Sequence, residues 1–168
     1  MPDRWTFKIQ PVADLLSRYV TENWADPFAG ETSPAYYTND IHPDAPTKYH
    51  LEATDFVKQL PIELSGVLFD PPYSLEQCKR VYESVHRTFT MRDGQICGRW
   101  TEIKDILSQK IKLGGYAICF GWNSEGFGIG RGFELEEILL VAHGSGHNDT
   151  IVTVERKHHT QAVMELNV

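Results

Sequence analysis

The stretch GVLFDPPYS, residues 66–74, joins an apolar run to a rigid turn. Residues 67–69 are continuously apolar, which is typical of a strand buried on both faces. The two prolines that follow fix two φ angles and remove two backbone donors, and a residue before proline is held extended. The sequence therefore predicts a buried strand whose end presents the Asp70 carboxylate, the Pro71 carbonyl and the Tyr73 ring together.

These three groups suit one kind of ligand. The Asp70 carboxylate and the Pro71 carbonyl can each accept a hydrogen bond from an amino group. The Tyr73 ring can stack on a flat ring. We therefore expect the turn to bind an exocyclic amine on a planar heterocycle.

Helices and strands alternate on both sides of this turn. Upstream, the pattern predicts a helix over 11–19, a short strand and turn in 24–30, and a helix starting near Thr54 or Asp55. Downstream, it predicts a helix over 75–89 capped by Ser74 and Gln77, a loop over 90–98, a helix over 99–115, a strand over 116–122, and a strand pair in 133–143 and 149–157.

This order of elements predicts an α/β sandwich with a mostly parallel sheet and a C-terminal antiparallel strand pair. In such folds ligands bind at the carboxyl ends of the strands. Asp26, Asp70 and Gly121 all lie at the carboxyl ends of predicted strands. We therefore expect these three positions to converge on one site.

The bulk properties bound the class of protein. The chain has 168 residues, of which 41% are hydrophobic, which fits one domain spanning 1–168. It shows neither an apolar run long enough for a membrane helix nor a signal-peptide pattern at its start. We expect an intracellular, cytoplasmic protein without membrane contact.

Metal chemistry is not expected. The three cysteines include no C-x-x-C pair, and an odd number argues against a disulfide framework. His143 and His147 have ligand-like spacing, but glycines between them argue against a helix that would place both on one face. We interpret them as loop histidines.

The net charge of −7 weighs against nucleic-acid binding through bulk charge. Residues 76–112, however, hold eight Lys or Arg residues against five acids. This segment could contact a polyanion, or it could simply provide solvated helix faces.

The DPPY tetrapeptide after a buried strand resembles the catalytic motif of S-adenosylmethionine-dependent amino-methyltransferases, above all the adenine-N6 DNA methylases typical of phages and prophages. The resemblance implies a Rossmann-like methyltransferase sandwich. It also implies that Asp70 and the Pro71 carbonyl hold the target amine, that Pro72 shapes the turn, and that Tyr73 stacks on a flipped-out base.

Further segments carry the resemblance to the cofactor site. ADPFAG at 25–30 resembles the methionine-binding loop, TND at 38–40 the ribose-binding acid, EATDF at 52–56 the adenine-binding pair, and FKIQPVADLL at 7–16 the closing segment. The cofactor-binding residues implied for S-adenosylmethionine are Lys8, Pro11, Asp26, Phe28, Gly30, Asn39, Asp40, Asp55 and Phe56.

The chain departs from the family pattern in three ways. GETS stands where a second loop glycine is usual, and only eight residues separate Gly30 from Asn39, so the family's helix there must be very short or displaced. There is also no separate target-recognition domain. DNA contact would then depend on the 89–100 segment and on nearby basic residues, and a homo-oligomer or a partner protein could supply the rest. The nearby basic residues are Lys79, Arg80, Arg87, Arg92 and Arg99.

Two alternatives stay open. The same groups would serve other planar amines, namely RNA adenine, cytosine N4 or a protein glutamine, although an acid before the prolines favours adenine. The shortened cofactor region could also belong to a degenerate subunit that binds nucleic acid or a partner without catalysis.

Overall fold

The computed structural model describes residues 6–97, 100–144 and 148–159. Arg99, His147 and the Cys97 side chain lie outside this part of the chain. Within the described ranges, no helix has the length and apolar character needed to cross a membrane.

Helices and strands alternate through most of the chain. The helices are α1 (Gln10–Tyr19), α2 (Ala53–Gln59), α3 (Leu75–Ser84), α4 (Met91–Cys97) and α5 (Thr101–Lys110). The strands are β1 (Trp24–Asp26), β2 (Tyr37–Thr38), β3 (Leu64–Phe69), β4 (Ile111–Gly121), β5 (Phe133–Val141) and β6 (Thr150–Lys157). Single 3-10 turns lie at Thr6–Lys8 and Ile129–Arg131.

The strands form one mixed sheet in the order β2-β1-β3-β4-β6-β5. β2, β1, β3 and β4 are parallel, and β6 is antiparallel to both β4 and β5. This arrangement confirms the predicted α/β sandwich with a terminal antiparallel pair. The carboxyl ends of β1, β3 and β4 meet at one edge of the sheet, since Ala25 pairs with Val67 and Phe69 with Cys119.

An apolar core lies on each face of the sheet. On one face, α2 and α5 bury residues such as Phe56 and Leu107 against β3 and β4. On the other face, α1 buries Leu15 and Leu16 against Leu68 and the hairpin strands. The apolar run 67–69 therefore alternates between two cores, as expected for a strand covered on both sides.

The helices around the turn differ from the sequence prediction. The helix predicted over 75–89 ends at Ser84, and His86 just beyond it adopts a left-handed φ of 57°. Ser74 caps α3 as expected by accepting the Gln77 N–H. The Gln77 side chain accepts the Tyr73 N–H and not that of Ser74.

The segment predicted as a loop over 90–98 contains α4. Thr90 and Asp93 explain this helix because they form a reciprocal cap: the Thr90 hydroxyl accepts the Asp93 N–H, and the Asp93 carboxylate accepts the Thr90 N–H. The prediction over 99–115 was also too long. α5 ends at Lys110 because Ile111 pairs with Leu64 in the sheet.

The connection between β1 and β2 contains no helix. Residues 27–36 pass from one parallel strand to the next through turns alone, although parallel neighbours are usually joined by a dozen or more residues that include a helix. The eight residues between Gly30 and Asn39 are too few for the usual helix, as the sequence indicates. Residues 27–36 therefore form a loop at the carboxyl end of β1.

Gly66 in β3 is a position where we expect a large loss of stability on substitution. A Cβ atom there would lie 2.5 Å from the Trp24 ring, which is fully buried. Because the core cannot expand cheaply, Gly66→Ala should cost about 1–3 kcal/mol of unfolding free energy. Gly130→Ala is the control, since nothing lies within 4 Å of the place where its Cβ would project. Equal urea midpoints for the two variants would contradict the packing argument.

Candidate active site

A cavity of about 1070 Å³ opens at the carboxyl ends of β1 and β2 and beside the turn that follows β3. Its walls come from segments far apart in sequence, and they include Lys8, Phe28, Gly30, Asp40, Glu52 and Pro72. A cavity of this size accommodates a small-molecule ligand or cofactor. The missing helix between β1 and β2 leaves this side of the cavity to loops alone.

Asp26 organises the loop that borders the cavity. It is fully buried, and its Oδ1 accepts the Phe28 N–H at 2.9 Å while its Oδ2 accepts the Ser33 hydroxyl at 2.6 Å. Burial raises the pKa of Asp26 to about 7. Asp26 therefore acts on the cavity by fixing the loop, and its carboxylate is not part of the cavity wall.

Asn39 and Asp40 join this loop to the next one. The buried Asn39 amide donates to the carbonyls of Pro27 and Leu51, at 3.1 and 3.0 Å, and accepts the Leu51 N–H. Asp40 accepts the Gly30 N–H at 3.2 Å. These contacts hold the two strand ends in one arrangement, with Asp40 facing the cavity.

Asp70 lies at the end of β3 and is also fully buried. Its Oδ1 accepts the hydroxyl hydrogen of Tyr73. Its Oδ2 is buried and has no hydrogen-bond partner among the described residues. Such an oxygen costs free energy in the folded protein, and burial raises the pKa of Asp70 to about 7. This acceptor is therefore suited to a donor that arrives from outside the chain.

The Tyr73 side chain lies between Asp70 and the residue that follows β4, Trp122. Its ring meets the Trp122 ring edge to face, with centroids 5.5 Å apart. Burial and the Asp70 carboxylate raise the pKa of Tyr73, so its hydroxyl stays protonated. Trp122 is 44% exposed, and the two rings therefore form an aromatic rim open to solvent.

Asp26 and Asp70 lead us to expect that stability depends on pH. Each carboxyl has an ordinary pKa of 3.8 and a pKa of about 7 in the folded chain. Between these values the folded state holds protons that the unfolded state has released, so the free energy of unfolding should fall as the pH rises from about 4 to about 7. Asp26→Asn and Asp70→Asn should each flatten this dependence. Urea titrations at several pH values measure it, and a wild-type slope that neither variant changes would contradict the assignment.

The loop after β4 is held by Glu155, a third buried acid besides Asp26 and Asp70. Glu155 accepts the N–H groups of Phe127 and Gly128, at 2.5 and 2.8 Å. Lys104 donates to the Gly126 carbonyl at 2.7 Å. This loop follows Trp122 directly, so these contacts help to fix the rim beside Asp70.

The structure brings together many of the residues singled out from the sequence. Those on the cavity wall are Lys8, Phe28, Gly30, Asn39, Asp40 and Pro72. Asp26 lies behind the wall, and Asp70 and Tyr73 lie at the end of β3 next to Pro72.

Besides Asp26, three cofactor-site residues implied by the resemblance lie away from the cavity wall. Pro11 is exposed in the first turn of α1, and Asp55 is exposed in the first turn of α2. Phe56 is 1% exposed and belongs to the core beneath α2. The positions of Asp55 and Phe56 follow from the helical period, because α2 starts at Ala53 and its apolar side chains face the sheet.

Glu52 occupies the wall position that the resemblance assigns to Asp55. It precedes α2, accepts the Tyr82 hydroxyl at 2.9 Å and forms an ion pair with Arg87. Its place just before the helix was the signal that could have identified it. Trp100 was missed as well: it lines the cavity, packs on Phe28 with centroids 5.0 Å apart and has a left-handed φ of 48°.

The basic residues expected to contact DNA are largely paired within the chain. Lys79 lies 3.6 Å from Glu83, Arg80 pairs with Glu76, and Arg87 pairs with Glu52. Exposed pairs of this kind contribute little to stability. Their acids nevertheless lower the positive potential of this surface.

Comparisons with known proteins identify the fold. No family model and no curated protein sequence matches the chain. Solved structures do: the N-methyltransferase NodS of Bradyrhizobium japonicum has a TM-score of 0.56 at 11% identity, with 95% of this chain and 100% of that one covered. TrmN of Thermus thermophilus has a TM-score of 0.53 at 16% identity, with 86% and 47% covered.

A methyltransferase homolog protein of Pyrococcus horikoshii matches with a TM-score of 0.52 at 13% identity, over 88% of this chain and 64% of that one. At these identities the likeness establishes the architecture. The chain has the Rossmann-like fold of methyltransferases, in which the described residues form a six-stranded sheet with no helix between β1 and β2.

Proposed function

We propose that the protein transfers a methyl group from S-adenosylmethionine to the exocyclic amino group of adenine in DNA, in the cytoplasm of a bacterial or phage-infected cell. One observation carries this proposal: the buried Asp70 Oδ2 lacks a partner among the described residues and lies at the strand end beside the cavity. The methyltransferase fold and the residues of the DPPY turn support it. Asp70, Pro71, Pro72 and Tyr73 form the catalytic turn.

The cavity fits the cofactor. Gly30 has a φ of 54°, and nothing lies within 4 Å of the place where a Cβ would project, so the backbone can approach a ligand there closely. In this proposal Lys8, Phe28 and Gly30 surround the methionine part, with Asp26 holding their loop. Asp40 accepts from the ribose.

The adenine of the cofactor then lies near α2. Asn39 fixes Leu51 through two hydrogen bonds, and both Leu51 and Glu52 face the cavity. Glu52 can accept from the adenine amino group. Phe56 would support this site from the core beneath α2, whereas the exposed Pro11 and Asp55 would not touch the ligand.

Asp70 and Pro71 act on the target amine by hydrogen bonding. The amine lone pair is delocalised into the ring, and the two acceptors, one on each N–H, favour a pyramidal nitrogen whose lone pair is available. When bound, the cofactor would supply an activated methyl group and a neutral leaving group, and the methylated nitrogen would then release one N–H proton to solvent. Holding the reacting atoms in line can lower the barrier by roughly 7–11 kcal/mol.

Adenine in a duplex must be flipped out to reach this turn, at a cost of a few kcal/mol. Stacking of the base on the Tyr73 ring can offset about 1–3 kcal/mol of this cost. The Trp122 ring extends the same aromatic rim. Since Lys79, Arg80 and Arg87 are paired with acids, DNA must displace these acids. Arg92, Arg99, a second copy or a specificity partner would provide further contact.

Label transfer tests the substrate class. The purified chain and methyl-tritiated S-adenosylmethionine are incubated separately with duplex DNA, single-stranded DNA, RNA and a glutamine-containing peptide. We expect label in adenine of DNA, identified as N6-methyladenine after digestion. Label in RNA adenine, cytosine or glutamine would replace adenine in DNA as the substrate. No label in any of them, together with no binding of S-adenosylmethionine, would favour the degenerate subunit.

A further inference from the structure

The two carboxylate oxygens of Asp70 have different partners. Oδ1 accepts the hydroxyl hydrogen of Tyr73, three residues along the same turn. Oδ2 is equally enclosed and has no partner among the described residues. One oxygen is therefore committed to the chain, and the other remains available.

We propose that the Tyr73 hydroxyl is a positioning group for Asp70: by occupying Oδ1 it holds the carboxylate so that Oδ2 faces the target amine. This inference rests on the methyltransferase function proposed above. It assigns to Tyr73 a task that its ring alone cannot perform, because ring stacking needs no hydroxyl. The two tasks are thus separable by experiment.

Three contacts fix Tyr73 in the place that this task requires. The Tyr73 N–H donates to Gln77 Oε1 at 2.6 Å, which ties the backbone to the first turn of α3. The Trp122 ring contacts the Tyr73 ring from the side of β4. The third contact is the hydrogen bond to Asp70 itself. With the backbone and ring both held, the hydroxyl cannot follow a rotating carboxylate, so it selects one orientation of Asp70.

The same hydrogen bond favours the ionised carboxylate. Burial raises the pKa of Asp70, and the Tyr73 hydroxyl opposes that rise. Loss of the hydroxyl should therefore raise the pKa of Asp70 further, which moves the acidic limb of the activity profile to higher pH. A protonated Asp70 accepts a hydrogen bond less well.

Other titratable groups on the surrounding elements must be separated from this effect. They include Asp26 at the end of β1, whose pKa is raised by burial and to a smaller extent by Asp70, and Cys119 on β4, whose pKa burial raises to about 12. Lys104 on α5 has its ammonium 5.6 Å from the Phe69 ring centroid. The hydroxyl of Tyr73 donates to Asp70. A difference between wild type and Tyr73→Phe therefore reports on Asp70.

Tyr73→Phe is the decisive variant because it removes the hydroxyl and keeps the ring. We expect kcat to fall about tenfold, the loss of one charge-assisted hydrogen bond, with the KM for DNA changed by less than about threefold. We also expect the acidic limb of kcat to move to higher pH. Tyr73→Ala should in addition raise the KM for DNA, since it also removes the stacking surface.

Tyr19→Phe is the matched control. The Tyr19 hydroxyl donates to the Glu137 carboxylate at 2.8 Å, so this variant removes a tyrosine–carboxylate hydrogen bond on α1 and β5. We expect its kcat and pH profile to match those of wild type. A Tyr73→Phe enzyme with wild-type kcat and an unmoved acidic limb would overturn the positioning role while leaving the proposed function intact.

A second measurement is independent of turnover. Carbon-13 labelled aspartate reports the Asp70 carboxyl by NMR, assigned by its loss in Asp70→Asn, and its pKa can be followed in wild type and in Tyr73→Phe. We expect a higher pKa in Tyr73→Phe and no change in Tyr19→Phe. An unchanged Asp70 pKa in Tyr73→Phe would overturn the inference. Absence of methyl transfer by the wild-type protein would instead count against the proposed function.

Discussion

Asp70→Ala should lose about 100- to 1000-fold in kcat for methyl transfer, because it removes the acceptor aimed at the nitrogen where positive charge develops. Binding of S-adenosylmethionine should change by less than about threefold, since Asp70 is not part of the cavity wall formed by Phe28, Gly30 and Asp40. Single-turnover kinetics and isothermal titration measure the two quantities separately.

The buried position of Asp70 requires a folding control. Because burial raises its pKa to about 7, the ionised carboxylate does not stabilise the fold near pH 8, and replacing it should not unfold the chain. Asp14→Ala, at an exposed site on α1, is the matched acid control and should retain wild-type turnover. An Asp70→Ala protein with wild-type kcat would exclude the carboxylate as acceptor of the amine.

Gly30→Val should weaken the binding of S-adenosylmethionine about 10- to 100-fold. Gly30 has a left-handed φ of 54°, which a β-branched residue adopts only with strain of about 1–2 kcal/mol. Its Cβ would project into open space beside the cavity. The added methyl groups would then occupy volume that the proposal assigns to the cofactor. Isothermal titration measures the change in Kd.

Gly144→Val separates strain from the loss of the site. Gly144 also has a left-handed φ, 80°, and no atoms within 4 Å of the added Cβ, but it follows β5 away from the cavity. Both variants should lose comparable stability in urea, and only Gly30→Val should lose cofactor affinity. Equal affinities for the two variants would mean that the 25–30 loop does not contact the cofactor.

Much of the fold follows from local sequence patterns. The apolar run 67–69 and the pattern of 133–157 predict strands because each requires burial on at least one face. The helix over 11–19 follows from apolar residues at helical spacing, and α1 occupies Gln10–Tyr19. Because the apolar spacing of these elements is strongly periodic, it predicts their type without knowledge of tertiary contacts.

The elements that were predicted wrongly are determined by features other than the apolar periodicity. α4 is specified by the Thr90–Asp93 cap, in a segment whose composition is typical of a loop. Ile111 fits the apolar spacing of a helix, but its pairing with Leu64 places it in β4. Sheet register is a long-range property, and local spacing does not determine it.

Some residues of the candidate site could likewise be predicted from the sequence, and others could not. Asp26 and Asp70 could be placed from the sequence because each lies at the end of a predicted strand, and strand ends of a parallel sheet converge. Gly30 and Asp40 could be placed only through the resemblance, since no strand was predicted before Asp40. Glu52 could not, since the choice between Glu52 and Asp55 depends on where α2 begins and how it is rotated. Glu52 lies on the cavity wall because it precedes α2, whereas Asp55, in the first turn of the helix, is exposed.

Binding of S-adenosylmethionine to the purified chain tests the central claim most directly, because every step proposed at Asp70 depends on a methyl donor in the cavity between Gly30 and Glu52. Isothermal titration with S-adenosylmethionine, followed by S-adenosylhomocysteine, should show one site per chain with micromolar affinity for both. Absence of binding to a folded sample, verified by its cooperative urea transition, would contradict the assignment of the cavity and with it the methyltransferase function.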